Sequence, residues 1–217
     1  MYHHNKGFHN KGFHPNRGKG ITILGKGGHA DAIVDIIESF RTYSISCGGK
    51  VFVESQVEWD KNTEVVKGER YIVGFGSLNN INKRQRCYDS ITRYGGNMVT
   101  LISPYAIVSP TVKIGKGVVV MPRAFIGPKA IIGNNCIINT GAIIEHGVRI
   151  GTNTHVCPGA VVNGGCIIGD DVLIGSNATI KHGIKIWHNN IIGAGAVVVK
   201  NIAGTSKTFI GVPAIEK

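Results

Sequence analysis

The feature that most constrains this chain is a six-residue repeat in its C-terminal half. From Ile102 to Val198 an Ile or Val recurs at every sixth position, seventeen times without a slip. Four residues after each of these, the position is mostly small. Neither a helical period of 3.6 nor an alternating strand produces such spacing. The period predicts a parallel β-helix, in which three hexads complete a triangular coil and coils stack at roughly 4.8 Å.

Seventeen hexads make a little under six coils, and the composition of the chain agrees with such a fold. Aromatic residues make up only 7% of the chain, whereas it has 31 glycines, which suit corners that need a positive φ. Cys136 and Cys166 fall on the small inward position, so we expect them in the core. The flat side faces of such a triangular prism would pack against other copies of the chain, which predicts a homo-oligomer, most simply a homotrimer.

A different pattern precedes the repeat. Ile21–Leu24 reads as a strand, Gly25-Lys26-Gly27-Gly28-His29-Ala30 as a glycine turn, and residues 32–38 as a helix. Further strands are predicted at 51–53 and 71–73, and a helix at about 80–94. The turn fits a phosphate cradle at a helix N-terminus, but a tight turn without a ligand explains this segment equally well.

These patterns divide the chain into four parts. Residues 1–19 form a low-complexity, His-rich tail, for which we expect a solvated arm outside the fold; a weak metal-binding tail is the alternative. Residues 20–101 are predicted to form a small α/β Rossmann-like domain. Residues 102–203 are predicted to form the β-helix, and 204–217 a closing segment.

The net charge of +11 divides as +4, +1 and +6 over residues 1–20, 21–101 and 102–217. The middle is therefore neutral, and no recognition helix or interleaved aromatic pattern supports binding to nucleic acid. The five cysteines are odd in number and form no C-x-x-C pair, which indicates reduced thiols. The sequence shows no signal peptide and no apolar run of about 18 residues. We therefore expect a cytoplasmic protein without a membrane partner.

Three motifs carry a resemblance to a known family: Gly25-Lys26-Gly27-Gly28-His29, Asn139-Thr140-Gly141-Ala142-Ile143-Ile144-Glu145-His146 and the closing Gly211-Val212-Pro213-Ala214. Over residues 20 to 214 the chain resembles the left-handed β-helix sugar acetyltransferases. That family includes the bacillosamine-pathway and perosamine N-acetyltransferases and the sialic acid O-acetyltransferases of the NeuD type. The resemblance implies a trimer, acetyl-CoA between neighbouring β-helices, and a nucleotide-linked amino sugar on the N-terminal domain.

Acyl transfer from a thioester needs a base for the attacking group and donors for the oxyanion. The resemblance assigns the base to His146 and the acetyl-CoA thioester region to His155 and Asn139. The resemblance also implies backbone contacts to acetyl-CoA, and in the six-residue register those contacts of the family fall on Ser176 and Ala194. Relatives often carry a carboxylate directly after the base, but here that residue is Gly147. Glu145 is the candidate substitute.

The resemblance also implies contacts to the nucleotide-linked sugar. They fall on Gly27, Gly28 and His29 in the turn and on Gly76 after the third strand. The family's paired acids after the second strand correspond to Glu54 and Ser55, a changed pair.

Three alternatives remain open at this point. The acceptor is expected to be an amino-sugar nitrogen, with the hydroxyl of sialic acid as runner-up. A β-helix carbonic anhydrase would hold zinc through His146 and His182, which two coils would separate by about 10 Å. That pattern wants a further His at position 187, where this chain has Trp187, followed by His188. The third alternative is an inactive scaffold trimer. We expect no bound metal.

Overall fold

The computed structural model describes residues 20–43, 52–60, 62–76 and 81–217. The tail of residues 1–19 and Cys47 lie outside this part of the chain.

The N-terminal domain is a four-stranded parallel sheet with two helices. Its elements are β1 (Gly20–Leu24), α1 (Gly28–Tyr43), β2 (Phe52–Val57), β3 (Arg70–Val73), α2 (Ile81–Arg93) and β4 (Asn97–Met98). The strand order is β2-β1-β3-β4. Side chains alternate along β1, so Ile21 and Ile23 pack with the α1 side and Leu24 with the α2 side. Both predicted helices and three predicted strands are present, whereas β4 was not predicted.

The rest of the chain winds into a parallel β-solenoid with three faces. The first face contains β5 (Leu101–Ile102), β8 (Val119–Val120), β11 (Ile137–Ile138), β14 (His155–Val156), β17 (Leu173–Ile174) and β20 (Ile191–Ile192). The second contains β6 (Ile107–Val108), β9 (Phe125–Ile126), β12 (Ile143–Ile144), β15 (Val161–Val162), β18 (Thr179–Ile180) and β21 (Val197–Val198). The third contains β7 (Lys113–Ile114), β10 (Ile131–Ile132), β13 (Arg149–Ile150), β16 (Ile167–Ile168) and β19 (Lys185–Ile186).

The predicted hexad register is confirmed. In each two-residue strand the second residue is the periodic Ile or Val, and from Val120 onward it is buried in one continuous core. The small positions share that core, including Cys136 and Cys166. Corner residues such as Asn135 and Gly141 have the expected positive φ. The fold is therefore a small α/β domain followed along the chain by a β-helix of about six coils.

The two parts of the molecule are joined by apolar and polar contacts. Leu101, Val119 and Met121 on the first face pack into the core on the α1 side of the sheet. The Asn135 amide donates to the Asn153 carbonyl oxygen at 2.9 Å, and the Asn153 amide donates to the backbone oxygen of Ile81 at 3.1 Å. These contacts fix α2 against one corner of the coils.

A fully buried arginine strengthens this junction. Arg84 on α2 donates to the backbone oxygens of Asn135 at 3.2 Å, Val73 at 3.0 Å and Phe75 at 2.8 Å. It therefore ties the end of β3 to the coil corner at Asn135. Burial lowers the pKa of Arg84 to about 10, so the guanidinium remains charged at neutral pH.

The chain closes with β22 (Thr208–Ile210) and β23 (Ile215–Glu216), which extend the first face beyond β20. Phe209 and Ala214 pack against the end of the coil core. Cysteines 87, 136, 157 and 166 are buried free thiols. Among the described residues, no helix is long and apolar enough to cross a membrane.

Candidate active site

The first part of the candidate site is the carboxyl edge of the N-terminal sheet. The order β2-β1-β3 places the reversal of strand order between β1 and β3, where ligands of open α/β sheets bind. Three strand ends meet here, because Gly25 N–H donates to the Val57 oxygen and Gly74 N–H to the Leu24 oxygen, both at 2.7 Å. A Cβ on Gly25 would lie 2.6 Å from the Gly74 oxygen, and φ is 137°, so only glycine fits.

The glycine turn leaves an open cradle beside this edge. Gly27 and Gly28 are exposed, and a Cβ on either would meet no atom within 4 Å. Helix α1 begins at Gly28, so its first N–H groups point toward this space. The arrangement fits an anionic group such as a diphosphate.

His29 follows the cradle and points into the junction with the coils. Burial lowers its pKa to about 3, and the nearby Arg84 guanidinium and His155 act in the same direction. Its Nε2 is buried without a hydrogen-bond partner. His29 is therefore a neutral imidazole beside the coil domain.

His155 and Asn139 form the coil side of the same junction. The Asn139 amide nitrogen lies 3.0 Å from Nε2 of His155. Since an amide NH₂ only donates, Nε2 accepts and the proton resides on Nδ1. Burial, with Arg84 second, lowers the pKa of His155 to about 3. A Cβ on Gly76 would lie 3.9 Å from His155 Cε1, so the loop after β3 borders this pair.

Ser176 and Ala194 lie on the coil corner between the first and second faces, as Asn139 does. They stack in successive coils, with Gly195 N–H donating to the Ser176 oxygen at 2.8 Å. Asn139 sits two coils from Ser176 on this corner. Asn139, Ser176 and Ala194 therefore line one continuous edge of the second face, and His155 lies on the adjoining first face.

His146 lies at the other edge of the second face, on the corner that leads to the third face. Its side chain is exposed and lies over Gly164, where a Cβ would be 2.5 Å from the imidazole Nε2. The ring centroids of His146 and His182 are 6.3 Å apart. Our expectation of about 10 Å was wrong, because Gly164 has no side chain and the two rings lean across the gap.

Glu145, the candidate substitute for the orienting carboxylate, directly precedes His146. One oxygen of its carboxylate accepts from the backbone N–H of His146 at 3.3 Å. Glu145 therefore contacts the main chain of His146 through this hydrogen bond.

The prediction that Glu54 and Ser55 follow the second strand was wrong. Strand β2 runs on to Val57, so both residues lie within it. The Ser55 hydroxyl donates to Thr22 Oγ1 at 3.2 Å, and Ser55 lines a cavity of about 910 Å³ on the sheet face. The residues that follow β2 are Glu58 and Trp59, and these stand next to the glycine turn.

Sequence reasoning also missed two residues of the site. Arg84 gave no signal, since its partners are backbone oxygens of distant segments. Gly164 gave a weak one, since it lies 18 residues, or one coil, after His146.

The described residues of one chain give little support to the zinc-enzyme alternative. No three His, Cys, Asp or Glu side chains within them come together as a metal site. His188 instead contacts Asp170, with its Nδ1 accepting from the Asp170 backbone N–H at 2.9 Å.

Comparison with known proteins agrees with the coils and covers about nine-tenths of the chain. The family "Bacterial transferase hexapeptide (six repeats)" matches residues 129–164 and 165–200. A point mutant of perosamine N-acetyltransferase from Caulobacter crescentus, solved with CoA and GDP-perosamine, is 33% identical, with 91% of this chain and 96% of that chain covered and a TM-score of 0.77.

The acetyltransferase domain of PglB from Neisseria gonorrhoeae, solved with acetyl coenzyme A, has a TM-score of 0.77 at 24% identity. The alignment covers 92% of this chain and all of that domain, and supports the fold alone. No curated protein sequence matched the chain.

The coils, with a histidine at an open corner, place the chain among the hexapeptide-repeat acyltransferases. Within that class, it belongs to the left-handed β-helix sugar acetyltransferases.

Proposed function

We propose that the chain transfers the acetyl group of acetyl-CoA to the amino group of a nucleotide-linked amino sugar, UDP- or GDP-linked, during the synthesis of a surface glycan in the cytoplasm. The observation that carries this proposal is the similarity over nine-tenths of the chain to an enzyme solved with CoA and GDP-perosamine. The open glycine cradle at the strand-order reversal supports a diphosphate-bearing substrate.

In this proposal His146 is the general base. Its imidazole takes a proton from the attacking amine as the nitrogen forms a bond to the thioester carbon, and the C–S bond then breaks to release CoA as a thiolate. His155 and Asn139 bind the thioester region, and Ser176 and Ala194 contact acetyl-CoA through their backbones.

Direct transfer without an acyl-enzyme is supported by the state of the thiols. Burial raises the pKa of Cys136 to about 12 and that of Cys157 to about 11, so neither is a thiolate at neutral pH. Cys87 and Cys166 are buried as well, with pKa values raised by burial. None of the described cysteines is placed as a nucleophile.

A homotrimer would complete this site. In one chain His146 and the Asn139–His155 pair lie at opposite edges of the second face. The outward side chains between these edges are mostly apolar: Ile107, Phe125, Ile143, Val161, Thr179 and Val197. Ile107 is 67% exposed. Packing this face against a second copy would bury the stripe and bring His146 of one copy to the Asn139–His155 pair of the next.

The experiment is an acetyl-transfer assay on a panel of 3-amino and 4-amino sugar nucleotides, with sialic acid as the competing acceptor. Transfer to an amino-sugar nucleotide supports the proposal, and transfer to sialic acid alone would replace it with O-acetylation. Stoichiometric zinc in protein lacking residues 1–19 would instead favour the anhydrase alternative. Absence of any thermal shift with acetyl-CoA would favour the scaffold.

A further inference from the structure

Two of the chain's few aromatic side chains meet at the carboxyl edge of the N-terminal sheet. Trp59, just after β2, and Phe75, just after β3, have ring centroids 6.3 Å apart with an interplanar angle of 28°. Both rings are partly buried. They approach each other across the end of β1, where Gly25 has no side chain.

The indole of Trp59 carries an unexplained polar group. Its Nε1 is buried and has no hydrogen-bond partner. A buried indole N–H usually has a hydrogen-bond acceptor, and an indole N–H without one has lost its hydration with no hydrogen bond to compensate. An acceptor on a bound molecule would supply that hydrogen bond.

A cation borders the same pair. Lys83 Nζ, in the first turn of α2, lies 5.2 Å from the centroid of the Phe75 ring. The exposed cradle of Gly27 and Gly28 follows β1, between the strands that precede Trp59 and Phe75. One sheet edge thus offers an aromatic surface, a lysine and free helix N–H groups.

From this arrangement we propose that Trp59 and Phe75 stack against the base of a nucleoside diphosphate whose phosphates lie between the glycine turn and Lys83. This proposal rests on the proposed function and identifies the residues that contact the nucleotide part of the substrate. Base–aromatic stacking tolerates any base, because every base has a π-face.

The order of the strands separates the base from the sugar. The coils contact both sides of the sheet, since Leu101, Val119 and Met121 pack into the α1-side cluster and Asn135 accepts a hydrogen bond from Arg84 of α2. The loop after β3 borders His155 at Gly76, whereas Trp59 follows the outer strand β2. Because the sugar must reach His155, the base end of the substrate lies toward Trp59.

The chain's two tryptophans make a direct test possible. In a Trp187→Phe background, Trp59 is the remaining tryptophan, and titration with GDP or UDP is expected to quench tryptophan fluorescence, whereas inorganic pyrophosphate and glucosamine 1-phosphate are not. Trp187 is 52% exposed on the coils, so its replacement leaves the sheet edge intact. Absence of quenching by both nucleotides, or quenching by glucosamine 1-phosphate alone, would overturn the assignment.

Kinetics supply the second readout. Trp59→Leu is expected to raise the KM for the nucleotide-linked sugar about 5- to 100-fold, the range of one lost base–aromatic stack. The kcat and the KM for acetyl-CoA should stay near wild type. Trp59→Phe should raise the KM for the nucleotide-linked sugar less than Trp59→Leu does, because it keeps a ring and loses only the Nε1–H donor. An unchanged sugar-nucleotide KM in a folded Trp59→Leu variant would refute the subsite while leaving the proposed function standing. Nucleotide quenching without acetyl transfer to any sugar nucleotide would do the reverse.

Discussion

Replacing Gly164 with alanine tests whether the imidazole of His146 is held in place by the absence of a neighbouring side chain. The added Cβ would lie 2.5 Å from Nε2, 2.6 Å from Cε1 and 3.1 Å from Cδ2 of His146. Ordinary contact requires about 3.4 Å or more, so the ring must move by about 1 Å. A displacement of that size at a reacting group costs about 100-fold in rate.

The fold should tolerate the same substitution. Gly164 does not have a positive φ, and the atoms it would meet belong to the end of an exposed side chain that can swing away. We therefore expect the free energy of unfolding to change by less than about 1 kcal/mol. The loss should appear in kcat, with little effect on the KM for either substrate.

The assay follows CoA thiol release at saturating substrates, alongside a thermal melt of each variant. Lys113→Ala is the control, since Lys113 is an exposed residue of the third face three coils from the Gly164 corner. It should retain wild-type turnover. A Gly164→Ala enzyme with wild-type kcat would show that the position of His146 over Gly164 is irrelevant to the reaction.

Three further predictions concern the junction and the assembly. Because burial lowers the folded-state pKa of His155 to about 3, below the usual 6.5, unfolding takes up a proton between those values, and stability falls as pH drops below about 6.5. The free energy of unfolding, measured at several pH values, should change with pH less steeply in His155→Gln, by up to one bound proton. An unchanged pH dependence would contradict the neutral imidazole. Arg84→Met should lower the free energy of unfolding by about 2–4 kcal/mol, because three backbone oxygens lose their donor; a melting temperature equal to wild type would oppose this. Mixed trimers of His146→Ala and His155→Ala chains should regain activity at roughly one site in four, and no recovery after proven subunit exchange would place the whole site in one chain.

The β-helix could be predicted almost completely from sequence because each hexad repeats one local rule. An Ile or Val at each sixth position must point inward, so a single register fits all seventeen strands. Thr154 and Asn190 occupy the small inward position without breaking it, because each forms hydrogen bonds to the coil backbone.

The N-terminal domain was less predictable where a strand lies at the edge of its sheet. Strand β2 is the outer strand and carries polar residues at Glu54 and Gln56, so the apolar run ends before the strand does. Glu54 and Ser55, which were predicted to follow β2, therefore lie inside it. Arg84 was unpredictable for another reason, since a polar helix sequence does not reveal which cation will be buried against distant carbonyl groups.

The two parts of the candidate site also differ in how far they could be predicted from the sequence. The motif around Asn139 and the glycine turn identified residues that the fold brings to one junction. The contact of His146 with His182 depends on a missing side chain at Gly164, and spacing alone gave the wrong distance.

His146 is the proposed base for acetyl transfer to a nucleotide-linked amino sugar. The most direct measurement is the rate of acetylation of a 4-amino sugar nucleotide by wild type and His146→Ala, with the oligomeric state of each checked by light scattering. His146 is exposed, so its removal should leave the fold and assembly intact. We expect robust transfer by wild type and a loss of at least about 100-fold in the variant. Near-normal turnover by a folded His146→Ala enzyme would contradict the account.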